Sequence, residues 1–399
     1  MIKIRNLPKY IILLLIVSLL AGFASAFFLF TLDTVGNIRN ENQWLICLLP
    51  FGGFISVLLY KHICPDAEKG NKWVLARLKK NTGKAISLLM APLVLTGTLI
   101  THLLGGSAGR EGTALQLSAS LSSPFFQLFK LSDKEESIFL RAAVAAGFGS
   151  VFGTPVAGIV FAFEWESFRP RKIFEIIPVI ICSFLADWTT QIIGIEHTVY
   201  SIPLSFRSPS NPLLWNIIAA IIFGIAAWLF KYLMNILASF NNKWLPNHYI
   251  RIIIGGTLVA TFLLFSPFIE IAGLGIPTIT KSFSHAAPAH EFLLKILLTV
   301  ITIQSGFKGG EVTPLFFIGA TLGSALSVFI PLSPGYLAGM GMVAVFGAAA
   351  KSPITATILA AELFGISFFP FALLISIISN KTAGKHSIYQ LNRNELATH

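Results

Sequence analysis

Apolar stretches recur along almost the whole chain, separated by short polar segments. They lie at about 9–32, 44–63, 86–104, 138–164, 173–195, 213–238, 250–275, 292–305, 312–331, 336–350, 353–366 and 367–379. A helix needs about 20 apolar residues to cross roughly 30 Å of hydrocarbon. Several stretches are shorter, and many contain Gly or Pro, as expected where helices stop partway and expose their ends to a cavity. The pattern predicts a polytopic membrane protein with broken helices.

The composition supports this prediction and excludes several function classes. Of the 399 residues, 54% are hydrophobic and 12% are charged, whereas a soluble domain carries about 25% charged residues. The net charge of +11 is typical of cytoplasmic loops rich in Lys and Arg. No basic run with interleaved aromatic residues indicates a nucleic-acid partner. The three Cys and eight His are scattered, so neither a metal site nor a disulfide framework is predicted, and no cofactor is implied.

Basic segments indicate the orientation of the chain in the membrane. The N-terminus resembles a cleavable signal, with a basic start and a small-residue ASA, but its apolar run continues to about Leu32. We therefore predict a first transmembrane helix with its basic end inside. The loops 64–84 and 168–172 and the tail from Lys381 are also basic, so both termini are predicted to face the cytoplasm. A short tail without a regulatory domain suits a bacterial inner membrane.

Two pairs of similar segments indicate an internal repeat. TPVAGIVFAFE at 154–164 matches SPITATILAAE at 352–362, with a spacing of 198 residues. Glu111 and Glu311 lie 200 residues apart, and the threonines and leucines that follow them keep this spacing. The chain is therefore predicted to contain two related halves, 1–200 and 201–399, in one transport domain. In transporters, paired Gly- and Pro-interrupted segments of this kind point to the binding site between the halves.

The stretch GGSAGREGTALQ at 105–116 places Glu111 behind glycines in an apolar context. A glycine-rich turn that enters a helix presents free N–H groups at the positive end of the helix dipole, which favours an anion. A glutamate there can occupy the anion site itself and, once protonated, leave it to an external anion. Glu111 is thus predicted to gate the pathway and to carry protons. The alternative is a glutamate that merely complements the helix dipole.

Other chemistries for this loop have less support. GSAGREG resembles a phosphate-binding loop, but it lacks the Lys-Ser/Thr pair and follows no strand. No nucleophile elbow, zinc-protease signature or pair of catalytic carboxylates is present. A nucleotide-binding protein or a membrane enzyme therefore remains only as a third hypothesis.

Four segments together resemble the CLC family of anion channels and proton-coupled exchangers. GREGT at 109–113 is similar to that family's GREGP signature, and GTPVAGIVFAFE at 153–164 is similar to its second signature. GGEVTPLF at 309–316 takes the place of the family's anion loop, and SIYQ at 387–390 resembles the segment whose tyrosine coordinates the central anion. The resemblance covers nearly the whole chain. It implies an all-α fold of two inverted-topology repeats, a homodimer and one pore per subunit.

Departures from the family pattern resemble its fluoride-exporting branch, the CLC-F antiporters. Asn71 in KGNKW takes the place of a serine that binds chloride, and GGEVTP brings Glu311 and Thr313 to the anion loop. Trp165 stands where exchangers of the chloride type have an inner proton-transfer glutamate. An indole N–H is only a donor and cannot relay protons, so Glu311 becomes the candidate second acid.

The resemblance therefore implies a proton-coupled fluoride antiporter that exports F⁻ in exchange for H⁺. Fluoride is strongly hydrated, and a protonatable carboxyl and polar donors would compensate for its lost water. The predicted anion-binding residues are Asn71, Gly109, Arg110, Gly310, Val312, Thr313 and Tyr389, beside Glu111 and Glu311.

Each of these assignments has a structural alternative. In the structural alternatives, Asn71 caps the helix that starts near Lys72, and Thr313 has a structural role before Pro314. Tyr389 then belongs to the membrane-interface belt, and Arg110 is an ion-pair or backbone partner rather than a ligand. Glu164 and Glu362, at the ends of the two repeated helices, are expected to face protein or the cytoplasmic mouth. For the whole chain, the alternative function is a chloride/proton exchanger or a passive chloride channel.

Overall fold

The computed structural model describes residues 7–80, 85–166, 172–202 and 211–389. Parts of the segments predicted to face the cytoplasm lie outside these ranges, namely residues 1–6, 81–84 and 168–171 and the tail from Gln390 onward. Sixteen α-helices occupy the described ranges. They are α1 (Leu7–Glu41), α2 (Leu49–Ile63), α3 (Asn71–Lys80), α4 (Met90–Leu103), α5 (Glu111–Leu128), α6 (Asp133–Phe152), α7 (Pro155–Glu164), α8 (Ile173–Ile192), α9 (Pro212–Trp244), α10 (His248–Phe265), α11 (Ile276–Lys281), α12 (Glu291–Ser305), α13 (Val312–Leu326), α14 (Pro334–Ala350), α15 (Pro353–Phe364) and α16 (Phe369–Thr382).

The fold is all-α over these ranges, as the resemblance implied. Five segments are long and apolar enough to cross a membrane: Leu7–Glu41, Gln43–Ile63, Ile173–Ile192, Pro212–Trp244 and His248–Phe265. The other apolar helices are shorter, in agreement with the broken pattern of the sequence.

The least exposed helices form the centre of the molecule. Almost every residue of α6 and α14 is buried. Helix α6 packs against α5 and α8, and α14 packs against α13, α9 and α16. Small residues allow this close approach: a Cβ on Gly319 of α13 would overlap the backbone of Gly341 on α14. Small residues at helix interfaces are typical of membrane proteins.

The helices differ from the apolar pattern at two notable places. The stretch 138–164 forms α6 and α7, because Gly153 ends α6 in the left-handed conformation (φ 71°) and Pro155 begins the next helix. Helix α5 was not among the apolar stretches, since it carries many Ser, Thr and Gln residues. It lies inside the protein, where some of its hydroxyl groups find partners: Ser120 Oγ donates to the carbonyl oxygen of Ser87 at 2.7 Å.

The two helices of the repeated Pro-headed segment, α7 and α15, cap each other. The Glu164 carboxylate at the end of α7 accepts hydrogen bonds from the N–H groups of Ile354 (3.0 Å) and Thr355 (2.8 Å) in the first turn of α15. Glu362 at the end of α15 accepts from Val156 (2.9 Å) and Ala157 (2.7 Å) in the first turn of α7. Each glutamate thus satisfies N–H groups that a helix start leaves unpaired. Both glutamates therefore face protein, one of the two positions expected for them.

Candidate functional site

The two glycine loops pair with each other at the centre of the protein. Gly310 donates its N–H to the carbonyl oxygen of Gly109 at 2.7 Å, and Gly109 donates its own N–H to the carbonyl oxygen of Gly310. Side chains have no room here, because a Cβ on Gly310 would lie 2.8 Å from the nitrogen of Gly112. The pairing brings the N-termini of α5 and α13 to one place, as the repeat predicted.

Glu111 places its carboxylate on the N-terminus of the helix from the other half. Its side chain is fully buried. One oxygen accepts from the N–H of Thr313 and from the N–H of Arg110, both at 3.1 Å. The other oxygen accepts from the Thr313 hydroxyl. Four N–H groups at a helix start lack helical partners, so the carboxylate occupies a position that suits a free anion.

Glu111 and Glu311 do not occupy equivalent positions in the two halves, although they lie 200 residues apart in the sequence. Arg110 is the N-cap of α5 and Glu311 is the N-cap of α13, with similar φ values of −105° and −101°. Glu111 therefore corresponds to Val312, and the repeat is offset by one residue at this point. Since successive residues of a helix start point in different directions, Glu311 does not mirror the orientation of Glu111.

Glu311 has an incompletely satisfied carboxyl group. Its Oε2 atom is buried and has no hydrogen-bond partner among the described residues. The group lies within electrostatic range of Glu111 on one side and of Lys72, which is exposed, on the other. A buried polar atom without a partner is unfavourable, and an incoming ion or water molecule would remove this penalty.

Asn71 reaches the same loops from the start of α3. Its side-chain oxygen accepts from Gln116 Nε2 at 3.1 Å. Its nitrogen lies against Gly112, where an added Cβ would stand 2.8 Å away. The amide donor therefore faces the paired loops. Gln116, which fixes this orientation, was missed in the sequence; its only signal was a polar residue in an apolar context, five positions after Glu111.

Tyr389 approaches from the C-terminal segment. It is 5% exposed, so the alternative position at a membrane interface is wrong. The preceding residues are held by α14: Ile388 donates its N–H to Ala349 at 3.1 Å, and Ser387 Oγ donates to Ala350 at 2.8 Å. The Tyr389 phenol is within electrostatic range of both Glu111 and Glu311.

A series of aromatic rings connects the surroundings of Arg110 with Tyr389. The Arg110 guanidinium lies 5.9 Å from the ring of Phe152 and 3.9 Å, through Nε, from the Glu111 carboxylate, in agreement with the ion-pair alternative. Trp165 contacts Tyr389 edge-on, with ring centroids 5.7 Å apart. Successive ring contacts lead from Phe152 to Tyr389 through Phe316, Phe346 and Phe161. The sequence alone did not distinguish these phenylalanines from the other thirty or so.

Comparisons with known proteins agree with this geometry. The family model described as "Voltage gated chloride channel" matches residues 52–384. A "Chloride/fluoride channel protein" of Pseudomonas syringae pv. tomato is 37% identical over 393 residues, which cover 97% of this chain and 87% of the relative.

Two solved structures share the fold. A CLC-type fluoride/proton antiporter superposes with a TM-score of 0.92 at 30% identity and covers 98% of each chain. A slow cyanobacterial Cl⁻/H⁺ antiporter superposes with a TM-score of 0.83 at 21% identity and covers 96% of each chain.

Proposed function

The chain belongs to the voltage-gated chloride channel family, and we propose that it is a proton-coupled antiporter that exports fluoride from the cytoplasm. As a member of this family it is a transporter or channel rather than an enzyme. The similar chloride/fluoride channel protein and fluoride/proton antiporter favour fluoride over chloride. We further propose a bacterial inner-membrane location, with both termini cytoplasmic and two chains per molecule.

One observation carries the proposal: the Glu111 carboxylate occupies the N-terminus of α13 and accepts from both the N–H and the hydroxyl of Thr313. Protonation removes the charge that holds it there. The neutral side chain then competes poorly with a free anion for the same donors. Exchange of the carboxylate for fluoride couples the binding of one proton to the entry of one anion at this position.

The remaining residues would supply donors along the pathway. The Asn71 amide faces the loops, and the Tyr389 phenol is within electrostatic range of both carboxyl groups. A protonated Glu311 would donate a strong hydrogen bond to fluoride, which compensates for part of the lost hydration. Arg110 would stabilise Glu111 rather than bind the anion directly. The backbones of Gly109, Gly310 and Val312 would surround the anion.

The function can be tested with purified protein in liposomes loaded with equal fluoride and chloride. Ion-selective electrodes follow each anion, and a pH electrode follows protons outside. Fluoride should leave well ahead of chloride, with protons moving inward. Comparable chloride efflux would reject fluoride selectivity and favour the alternative of a chloride exchanger or channel. Anion efflux without proton movement would reject coupling.

A further inference from the structure

A cavity of about 330 Å³ lies at the end of α1 that is farther from the N-terminus. It is bounded by the last turn of α1, by the turn at 43–46 and by the segment 269–281, which includes α11. One water molecule takes up about 30 Å³ in the liquid, so the cavity has room for a group of several atoms. Sites for small molecules typically have volumes of about 300 Å³ or more.

The length of α1 places this cavity at the level of the lipid head groups. Lys9 and Arg39 are separated by about 45 Å along the helix, at about 1.5 Å per residue. A bilayer with its head groups is about 40–45 Å thick. With the N-terminus on the proposed cytoplasmic side, Arg39 lies among the head groups of the outer leaflet. Trp44, next to the cavity residue Gln43, is 61% exposed, as is typical of tryptophan at a membrane interface.

Arg39 is a cation of this cavity without a carboxylate partner. Its side chain is partly buried and lines the cavity. One N–H donates to the carbonyl oxygen of His102 at 3.3 Å, and another donates to Asn40 Oδ1 at 2.9 Å. A guanidinium group has five N–H donors. No carboxylate in the described part of the chain forms an ion pair with it, so its charge and several of its donors remain for a ligand.

A second cation adds to the positive charge at this place. Lys295 is fully buried and lies within electrostatic range of Arg39. Its ammonium donates to the carbonyl oxygens of Ile271 at 2.8 Å and Gly273 at 2.7 Å. These carbonyl dipoles compensate for only part of the charge. Two neighbouring cations without a counter-ion are unfavourable, and an anion in the cavity would remove this penalty.

The carboxylates near the cavity lie beside a different lysine. Glu270 lines the cavity, but one of its oxygens is 2.9 Å from Lys281 Nζ. Glu291 lies within electrostatic range of both Lys281 and Glu270. These carboxylates neutralise Lys281, whereas the charge of Arg39 is not neutralised in this way.

We propose that this cavity binds a phosphate group from the outer side of the membrane. The planar guanidinium of Arg39 can donate to two phosphate oxygens at once. The oxygen of the Asn40 amide accepts from Arg39, which leaves its nitrogen for the ligand, and the exposed Gln43 amide offers further donors. At this level the expected source is a phospholipid head group, and phosphate from the medium has the same chemistry. The site is independent of the anion that the protein transports.

The chain offers matched variants for a test. Arg39→Gln removes the charge but keeps a hydrogen-bond donor. Gln43→Glu introduces a negative charge at an exposed position, where folding is not at risk. The control is Lys243→Gln. Lys243 is an exposed cation at the end of α9, 5.2 Å from the ring centroid of the exposed Trp244, and it does not line the cavity.

The measurement is the unfolding temperature of the purified protein in a maltoside detergent at constant ionic strength. The additives are short-chain phosphatidylglycerol, diacylglycerol with the same chains, and sodium phosphate. A ligand that binds only the folded state raises this temperature. Phosphatidylglycerol should stabilise the wild type, and diacylglycerol, which lacks the phosphate, should not.

The variants should change the titration with phosphatidylglycerol. Arg39→Gln should raise the half-saturating concentration about ten- to hundredfold, as expected for the loss of a charge-assisted hydrogen bond. Gln43→Glu should also raise it, because a carboxylate repels the phosphate. Lys243→Gln should behave as the wild type.

The additives distinguish the two sources of phosphate. Stabilisation by phosphatidylglycerol but not by sodium phosphate would identify a lipid site, and stabilisation by sodium phosphate would identify a site for phosphate from the medium. Equal effects of phosphatidylglycerol and diacylglycerol would overturn the site. An unchanged titration in Gln43→Glu would overturn it as well, even if Arg39→Gln does not fold. The same loss of affinity in Lys243→Gln would also overturn it, since any cation at the membrane interface would then have this effect.

Discussion

At the scale of single residues, the proposed coupling depends on Glu111, whose carboxylate occupies a position that suits an anion. Glu111 is held by donors from both halves, and only a titratable group can leave in response to a proton. In Glu111→Gln the side chain keeps an oxygen that can accept from Thr313, but the amide can neither take up nor release a proton. We expect fluoride-driven proton flux to fall to the level of empty liposomes, measured with a pH electrode.

The matched control for Glu111→Gln is Glu270→Gln, which changes an exposed glutamate paired with Lys281 on the surface. This variant should transport normally. Undiminished proton flux in folded Glu111→Gln would reject the gating role and leave Glu111 as a complement to the helix dipole.

Glu311 is expected to determine selectivity. Its buried Oε2 without a partner is available to the transported ion, and a hydrogen bond to a charged group contributes about 1.5–3 kcal/mol. Loss of this bond in Glu311→Ala should lower the preference for fluoride over chloride about ten- to hundredfold. Competition between the two anions in proteoliposomes measures the preference. If the fluoride-to-chloride preference is unchanged, Glu311 only complements the positive end of the α13 dipole.

At the scale of elements, α7 and α15 are held by their mutual glutamate caps. Glu164→Ala removes an acceptor from three donors, the N–H groups of Ile354 and Thr355 and the Thr355 hydroxyl. We expect it to destabilise the protein by about 1–3 kcal/mol, seen as a lower unfolding temperature in detergent. The fluoride-to-proton ratio should stay the same, because the carboxylate is engaged in structure.

Glu362→Ala should have a similar effect from the opposite end of the pair, since its carboxylate holds two N–H groups of α7. Glu41→Ala, which changes an exposed glutamate at the end of α1, is the control. A changed transport ratio with normal stability would show that these glutamates take part in proton movement instead.

The elements that could be predicted are those with local signals in the sequence. Apolar runs located most helices, and glycine followed by Glu111 located the start of α5, because both signals are local. The break at Gly153 was missed, since an apolar run does not show where a left-handed residue ends a helix. Polar α5 was also missed as a buried helix, because burial inside the protein depends on neighbours from other parts of the chain.

At the scale of the whole molecule, long-range partners were the least predictable part of the site. The hydrogen bond from Gln116 to Asn71 joins residues 45 positions apart. The hydrogen bond from Thr313 to Glu111 joins residues 202 positions apart. Family resemblance assigned Asn71, Thr313 and Tyr389 to the pathway, but only the fold brings them to one place. The one-residue offset of the repeat changes which side chains face each other, and no spacing rule contains this information.

The lengths of two helices also bear on the proposed two-chain assembly. Helices α7 and α15 have 10 and 12 residues, so each extends only about 15–18 Å, far less than the hydrocarbon thickness of roughly 30 Å. Val156 and Ile354 on these helices are nevertheless more than a third exposed. Short helices with polar ends are unfavourable against lipid. We therefore expect a second copy of the chain to cover this face.

Light scattering in detergent should give the mass of two chains. Ile354→Trp should shift the population toward monomers, because a packed interface does not accommodate a larger ring, whereas lipid tails do. Leu258→Trp, on the exposed face of the long helix α10, is the control and should remain dimeric. A monomeric wild type, or equal behaviour of the two variants, would contradict this interface. Since all residues of the candidate anion site belong to one chain, monomeric Ile354→Trp should still exchange fluoride for protons.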